Sequence, residues 1–350
     1  MTAEKLVGLK GWTVYRYKNI FISDPTMRTE ALFRALADPT RLRILRLLGS
    51  MELAVGELAQ ALGQSQPRVS RHVGILCDAG LAERRREGSW VFLRAAGGQQ
   101  SFGRRIVDLL AYAERSDADF AEQCDGDRRK LAEIREGRES RAESYFADHA
   151  DDWDELRRMH SSDEAVESAL AEALGSRPLG YLLDIGTGTG RMAELFAERA
   201  GHIVALDKSL AMLRVARAKL QHLPPERVEL VQGDFAELPF AADTFDTVLF
   251  HQVLHFAQSP VAALAEAGRV TRGGGRIAIV DFAAHQREEL RERYAHARLG
   301  FADDQMEELL GTAGFEVSEP VALDDGELVV KIWIAERNDV ADRVRKEAAS

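Results

Sequence analysis

The sequence predicts a multidomain chain: an N-terminal α+β module, then a larger α/β body whose parallel sheet ends in an antiparallel hairpin. Three observations carry this. Residues 1–96 hold 15 Lys and Arg against 9 Asp and Glu, while the remainder holds 31 against 48, so a basic block precedes an acidic body. Between residues 38 and 95, helix-period stretches give way to an alternating run. From residue 181, strand-like and helix-like stretches alternate, opening on YLLDIGTGTG. A chain of 350 residues is long enough for two domains, and 45% apolar content is ordinary for a globular protein. The longest apolar stretches, such as TVLF and YLL, fall far short of the roughly 20 residues a membrane helix needs. The start, MTAEKLVGLKGWTVYRY, lacks the apolar core of a secretory signal. Two cysteines far apart, Cys77 and Cys124, exclude a disulfide framework and suit a reduced cytoplasm. A basic block on an acidic body is the footprint of a polyanion-binding module.

Asp38 caps the first clear helix, with Pro39 at its first position. Leu42, Leu45 and Leu48 follow at helical spacing, and Gly49 stops it. A short helix faces Leu58, Ala61 and Leu62 inward and ends at Gly63. In QSQPRVSRHVGILCDAGL, Ser65 is placed to cap, and Val69, Val73 and Leu76 form an inward stripe. Gln66, Arg68, Ser70, Arg71 and His72 then face elsewhere, and Gly80 ends the helix. LAERRREGSWVFLRA alternates like a hairpin whose tip is near Glu87 and Gly88. This order is a winged helix-turn-helix. Its second helix enters the major groove of a double-stranded DNA operator, where Arg and Gln pair with base edges, while Arg84, Arg85 and Arg86 on the wing reach phosphates.

LADPTRLRILRLL followed by SQPRVSRHVGILCDAGLAERRREGSWVFLR resembles the ArsR-type bacterial transcriptional regulators, over about residues 27–115. The resemblance implies a homodimer built from helices flanking the reader. SFGRRIVDLLAYAER fits the rear one, with Phe102, Ile106, Leu109 and Ala113 on one face, and a dimer sets two reading helices on half-sites about one helical turn apart. Arsenic-sensing members carry a Cys-x-Cys pair in the helix before the reader. Here that stretch is MELAVGELAQ, with Ala54 and Gly56 where the thiolates that soft metals need would stand. Metalloid sensing is therefore not expected. His149, His160 and Asp163 echo a zinc-site spacing of other members but lie beyond the rear helix, and no metal is expected there. Residues 1–26 precede the family's usual beginning, and Met27 would make a natural start. Residues 116–140 turn charged, with only Leu131 and Ile134 as a thin stripe, which predicts a helical linker.

The last body spans residues 141–336. YLLDI reads as a buried strand. Gly186, Gly188 and Gly190 follow, and RMAELFAERA continues as a helix with Ala193, Phe196, Ala197 and Ala200 inward. A glycine loop between strand and helix N-terminus lets a ligand approach backbone N–H groups. HIVALD ends in Asp207, placed to accept both ribose hydroxyls. A dinucleotide fold shares this much, but its G-x-G-x-x-G fingerprint fails at Arg191. Asp184 sits where it can take up a ligand ammonium through water or backbone. VELVQGDF ends in Asp234, suited to an adenine amine, with Phe235 beside the ring. DTFDTVLFHQVLHF supplies a fourth strand. SPVAALAEAGRVTRGGG reads as a capped helix with a glycine turn, RIAIVDF as a fifth strand and DDQMEELLGTAGF as a late helix. VSEPVAL and ELVVKIWIAE form a terminal hairpin around DDG.

DIGTGTG, ALDKS and GDFAELPFAADTFDTVLFHQVLH resemble class I, Rossmann-like S-adenosylmethionine (SAM) methyltransferases of the ubiquinone-biosynthesis and arsenite-methylating type. By that resemblance Asp184, Gly186, Thr187, Gly188 and Gly190 hold the methionine moiety of SAM or S-adenosylhomocysteine (SAH). Asp207 holds the ribose, Met212 packs on the adenine, Asp234 with Phe235 holds its edge, and Lys208 is a further cofactor-binding candidate. RAESYFADHADDWDELR matches the lid segment, so Tyr145 and Trp153 either close over the site or pack in the core. His251 and His255, past the fourth strand, are the candidate bases for a small-molecule acceptor; satisfied polar groups are the alternative. HQVLHF lacks the Asn/Asp-Pro-Pro-aromatic loop of exocyclic-amine DNA methylation. With no cysteine in the domain, neither cytosine C5 nor arsenite methylation fits. Two readings stay open: an active enzyme tethered to a regulator, and a sensor in which SAM or SAH changes operator affinity, similar to SAH-responsive regulators.

Overall fold

The computed structural model describes residues 4–8, 12–17, 20–23, 29–87, 90–96, 102–153, 163–224, 226–324 and 326–338. The chain divides into two compact units: Met1–Arg85 with Phe92–Leu131, and Arg86–Val91 with Ala132–Ser350.

The first unit opens with an antiparallel meander of β1 (Glu4–Gly8), β2 (Trp12–Tyr17) and β3 (Ile20–Ser23). Helices α1 (Thr29–Leu36), α2 (Pro39–Leu48), α3 (Val55–Ala61) and α4 (Gln66–Asp78) follow, with β4 (Leu53–Ala54) between α2 and α3. Strands β5 (Ala82–Glu87) and β6 (Trp90–Ala95) join β4 in the order β4-β6-β5. Then come α5 (Phe102–Ser116) and α6 (Ala118–His149), whose residues up to Leu131 belong to this unit. Asp38 Oδ1 accepts from the Arg41 N–H at 3.1 Å, with Pro39 at the first helical position. The buried face of α2, which packs against both α4 and α5, includes Ile44, Leu45, Leu47 and Leu48, while Leu42 is only half-buried. Leu58, Ala61, Leu62, Val69, Val73 and Leu76 are all buried. Ser65 stands at the α4 N-cap but its side chain accepts no capping bond. Pro67 at the second helical position has removed one N–H the hydroxyl would receive.

The apolar residues of α5 divide differently from the expected face. Gly103, Ile106, Val107 and Leu110 are buried, whereas Phe102 and Leu109 point outward with Tyr112, and Ala113 is half-buried. Arg43 pairs with the buried Asp127 of α6 (2.7 Å) and Arg46 with Glu114 of α5 (2.7 Å), so α2 is pinned on two sides. Leu131 is buried and Ile134 half-buried within one continuous 32-residue helix.

The second unit is a mixed eight-stranded sheet between helices. Its strands are β7 (Gly180–Ile185), β8 (Ala200–Asp207), β9 (Val228–Gln232), β10 (Phe245–His251), β11 (Thr271–Phe282), β12 (Phe315–Val317), β13 (Val321–Leu323) and β14 (Val330–Arg337). The order is β12-β14-β11-β10-β7-β8-β9, with β13 also on β14; β7 to β11 run parallel and β14 antiparallel. Helices α7 (Asp163–Ala173), α8 (Arg191–Phe196), α9 (Leu210–Leu220), α10 (Pro260–Val270), α11 (Glu289–Arg293) and α12 (Asp303–Thr312) complete it. Two apolar clusters sandwich the sheet, one around Leu182, Phe196, Ile203 and Leu249, the other around Leu183, Val204, Phe250 and Trp333. That two-sided burial is why the central strands read as unbroken apolar runs.

Three local expectations are corrected. α8 is one short helix, and Ala200, expected on it, is already the first residue of β8. TRGGG makes no turn: it continues β11, with an irregular register against Phe245 and Thr247 absorbing the glycines. The last hairpin is broken into β12 and β13, since Pro320 between them has no N–H for a ladder. Asp325 of its turn, His160, and residues 24–28 with Met27 lie outside the described residues, as does the side chain of Asp163.

Candidate functional site

The strand order reverses between β7 and β10, and the glycine loop leaves β7 at that point, where ligands of open α/β sheets bind. Gly186, Gly188 and Gly190 have φ of 67°, 55° and 83°, a region unfavourable to other residues. A Cβ on Gly186 would also collide with the Val253 side chain, so the loop is drawn tight against the exit of β10.

Two acids brace this loop. The buried Asp184 accepts from the Thr187 hydroxyl at 2.6 Å. Asp207, at the end of β8, accepts from the Gly188 N–H through Oδ2 and from the Ser209 N–H through Oδ1, both at 2.8 Å. Burial pushes the Asp207 carboxyl above its usual range despite those bonds. Lys208 Nζ lies 3.2 Å from Asp234 Oδ2 and 3.1 Å from Glu143 Oε1. Asp234 Oδ1 accepts from the Ala236 N–H at 2.8 Å, holding the loop after β9. Met212 is buried, and Phe235 packs half-buried on the core. The structure thus brings Asp184, the glycines, Asp207, Lys208 and Asp234 to one end of the sheet.

Above the loop sits an aromatic group. Phe146 meets Trp153 and Phe256 edge-on at 5.4 and 4.9 Å, and Tyr145 meets Phe146 at 5.9 Å. The Trp153 indole nitrogen stands 3.6 Å from where a Cβ on Gly188 would lie. Trp153 therefore roofs the glycine loop, while Tyr145 is one position removed and stacks toward His149.

Both candidate histidines are buried, His251 at the end of β10 and His255 in the single turn Leu254–Phe256. His255 Nδ1 donates to Asp281 Oδ1 at 2.7 Å, and the His255 N–H donates to Asp281 Oδ2 at 3.1 Å. That bond fixes the imidazole tautomer and leaves Nε2 for other contacts. His296 and Phe256 lie 4.2 and 4.0 Å from the His255 ring, centroid to centroid. Sequence reasoning did not single out Asp281, His296 or His285; the acid closing RIAIVDF was the one available signal. Among the described residues no His, Cys, Asp and Glu group is arranged to hold a metal ion.

On α4, Gln66, Arg68, Ser70 and Arg71 are exposed. His72 is not free on that face: it is half-buried, 3.6 Å from Asp38 Oδ1. On the hairpin Arg84 and Arg86 are exposed, with Arg84 Nε 3.3 Å from Cys77 Sγ. Arg85 is engaged instead with Glu52 at 3.0 Å and lies over the Phe92 ring.

These features define a helix-turn-helix unit joined to a methyltransferase-type α/β fold. The profile of the bacterial regulatory protein, arsR family, matches residues 38–84, and that of a methyltransferase domain matches residues 183–279. The arsenical resistance operon repressor of Escherichia coli K12 is 44% identical over 78 residues, 22% of this chain and 67% of that protein. The chain belongs to the ArsR family of bacterial regulatory proteins, with a methyltransferase domain fused behind the DNA-binding domain. A demethylmenaquinone methyltransferase of Streptomyces avermitilis is 36% identical over 141 residues, 40% of this chain. The chain spans 59% of that relative's length. A solved S-adenosylmethionine-dependent methyltransferase of Mesorhizobium loti is 15% identical, with TM-score 0.42, over 49% of this chain and 96% of that one. SAM or SAH is the cofactor of this domain class, and the residues present fit it: a glycine loop with positive φ at Gly186, Gly188 and Gly190, and carboxylates for an ammonium, two hydroxyls and an amine. Among the described residues no helix is long and apolar enough to cross a membrane.

Proposed function

We propose that the protein is a cytoplasmic transcriptional regulator in which occupancy of the methyltransferase cradle by SAM or SAH changes affinity for a DNA operator. The observation that carries this is the complete cradle in a chain whose reading helix leaves Gln66, Arg68, Ser70 and Arg71 exposed. In this reading Asp184 and the loop from Gly186 to Gly190 receive the methionine end, with Thr187 holding Asp184 in place. Asp207 accepts the ribose hydroxyls. Lys208 steers Asp234, which takes the adenine amine, and Met212 and Phe235 flank the ring. Trp153 excludes water from the loop, with Tyr145 behind it. Arg84 and Arg86 reach phosphates. The operator is read by a homodimer, which the exposed Phe102, Leu109 and Tyr112 of α5 support. A coupling of about 1–3 kcal/mol gives a 5–150-fold change in affinity.

Calorimetric titration with SAM and SAH, alone and with an operator fragment selected from random DNA, tests this. Micromolar binding that shifts with DNA supports the regulator. Identical affinities with and without DNA defeat it.

The His255–Asp281 pair favours a second reading, methyl transfer to a small molecule. SAM supplies an electrophilic methyl group when bound. A buried imidazole oriented by a carboxylate is suited to take a proton at Nε2 from the acceptor, with His251, buried at the end of β10, as a second candidate.

A further inference from the structure

The tip of the β5–β6 hairpin, Arg86–Val91, belongs to the second unit. Glu87 closes β5 and is only 4% exposed. Its Oε1 accepts from Arg291 Nη2 at 2.6 Å and from the Leu299 N–H at 2.7 Å, and its Oε2 lies 3.9 Å from Arg298 Nη1. The side chains of Arg291 and Arg298 are 6% and 2% exposed. Trp90, which opens β6, lies under two guanidiniums, Arg291 at 4.5 Å and Arg138 at 5.3 Å. An ion pair this dry is unlike a solvated surface pair, because its charges are held out of water and rest on protein groups alone.

The clamped segment also builds the candidate site. Arg291 Nη1 donates to the Ala297 carbonyl at 2.5 Å. The N–H groups of Ala297 and Arg298 both donate to the His255 carbonyl, at 3.0 and 2.9 Å. Arg298 Nη2 donates to the Gln258 carbonyl at 3.2 Å, and His296 stacks on His255. Hydrogen bonds therefore run without a break from the Glu87 carboxylate to the backbone of His255.

We propose that Glu87 links the hairpin tip to occupancy of the SAM or SAH cradle, whose roof, Trp153, packs on Phe256 beside His255. The inference rests on the regulatory reading above and names the residue that carries its coupling. A carboxylate seated between two buried guanidiniums has discrete states, held or released, and a ligand that shifts the 291–299 segment favours one over the other. The tip's response is thus an equilibrium that both ends bias.

The test is amide hydrogen exchange of the full-length protein with and without saturating SAH, read at residues 86–91 and 291–299. The expected result is a change of about tenfold in both segments. Glu87→Gln keeps the size and an acceptor for the Leu299 N–H while removing the charge. This variant should bind SAH and lose the SAH-dependent change at the tip. If SAH binds the wild type and leaves exchange at the tip unchanged, or the variant responds like the wild type, the proposal is wrong. If SAH does not bind at all, the regulatory reading falls and this inference falls with it.

Discussion

Asp281 Oδ1 lies 2.7 Å from Nδ1 of His255, with both side chains buried between β11 and the turn after β10. The same carboxylate accepts from two backbone N–H groups, of His255 and Phe282. Asp281→Ala strands three buried donors and is expected to cost at least about 3 kcal/mol, since each buried donor left unsatisfied costs about 1–3. Asp281→Asn keeps Oδ1 for two of the three and should cost clearly less. Urea unfolding of both variants decides: equal losses would mean that these bonds do not carry the stability of this corner.

Asp207 gives the cofactor reading a pH signature. Only the ionised carboxylate accepts from both ribose hydroxyls, and burial holds its pKa above that of an ordinary aspartate, near 4. SAH affinity should therefore weaken as the pH falls, beginning above the range where an exposed aspartate titrates. Asp207→Ala should weaken SAH binding about 10–100-fold, because hydrogen bonds to a charged group are worth about 1.5–3 kcal/mol. Calorimetry across pH checks both; pH-independent binding in the acid range would remove Asp207 from the ribose site.

How much of this was legible in the sequence depended on distance along the chain. The stripe Val69, Val73 and Leu76, the cap at Asp38 and the strand–glycine–helix unit were readable because their causes lie within a few residues. Asp207 was legible because a strand end fixes where its side chain goes. Which apolar residues of α5 turn inward was not legible, since Leu110 and Leu109 are equally apolar and only packing against α2 decides between them. Arg85 looked like its neighbours until Glu52, 33 residues away, was folded beside it. Glu87 with Arg291 and Leu299, more than 200 residues apart, left no local trace.

The reading helix can be dissected by salt dependence. Arg68→Ala and Arg71→Ala remove exposed guanidiniums. A variant that loses a base contact should lose about 1–3 kcal/mol and relax specificity at one position. One that loses a phosphate contact should weaken binding evenly and lower the slope of log K on log salt by about 1. His72→Gln should do neither strongly, since His72 faces Asp38. An operator affinity insensitive to both arginines would mean that α4 does not enter the groove.

The outward residues of α5 set up a test of the homodimer. Leu109 and Tyr112 are 58% and 62% exposed, an unusual display of large apolar groups on a helix whose other face is buried. Leu109→Glu should shift the sedimentation coefficient to that of a monomer and weaken operator binding, because one reading helix then holds only a half-site. Its melting temperature should change little at a concentration where the wild type is also monomeric. Sedimentation indistinguishable from wild type would place any dimer contact elsewhere.

His285 is expected to make the second unit sensitive to acid. Burial, and next the neighbouring His255, lower its pKa to about 4, against about 6.5 in an unfolded chain. Its Nδ1 accepts from the Arg287 N–H at 3.2 Å, which also favours the neutral ring. Between those two values the unfolded chain binds a proton that the folded chain refuses. The stabilisation is therefore complete above pH 6.5 and is lost as the pH falls toward about 4. His285→Asn retains an acceptor for the Arg287 N–H and removes the titration. Thermal unfolding from pH 7 to 4 should show the wild-type melting temperature dropping more steeply than the variant's across that window. Parallel curves would assign the acid sensitivity to other groups, and a lower variant curve at pH 7 with the same slope would make His285 a packing residue only.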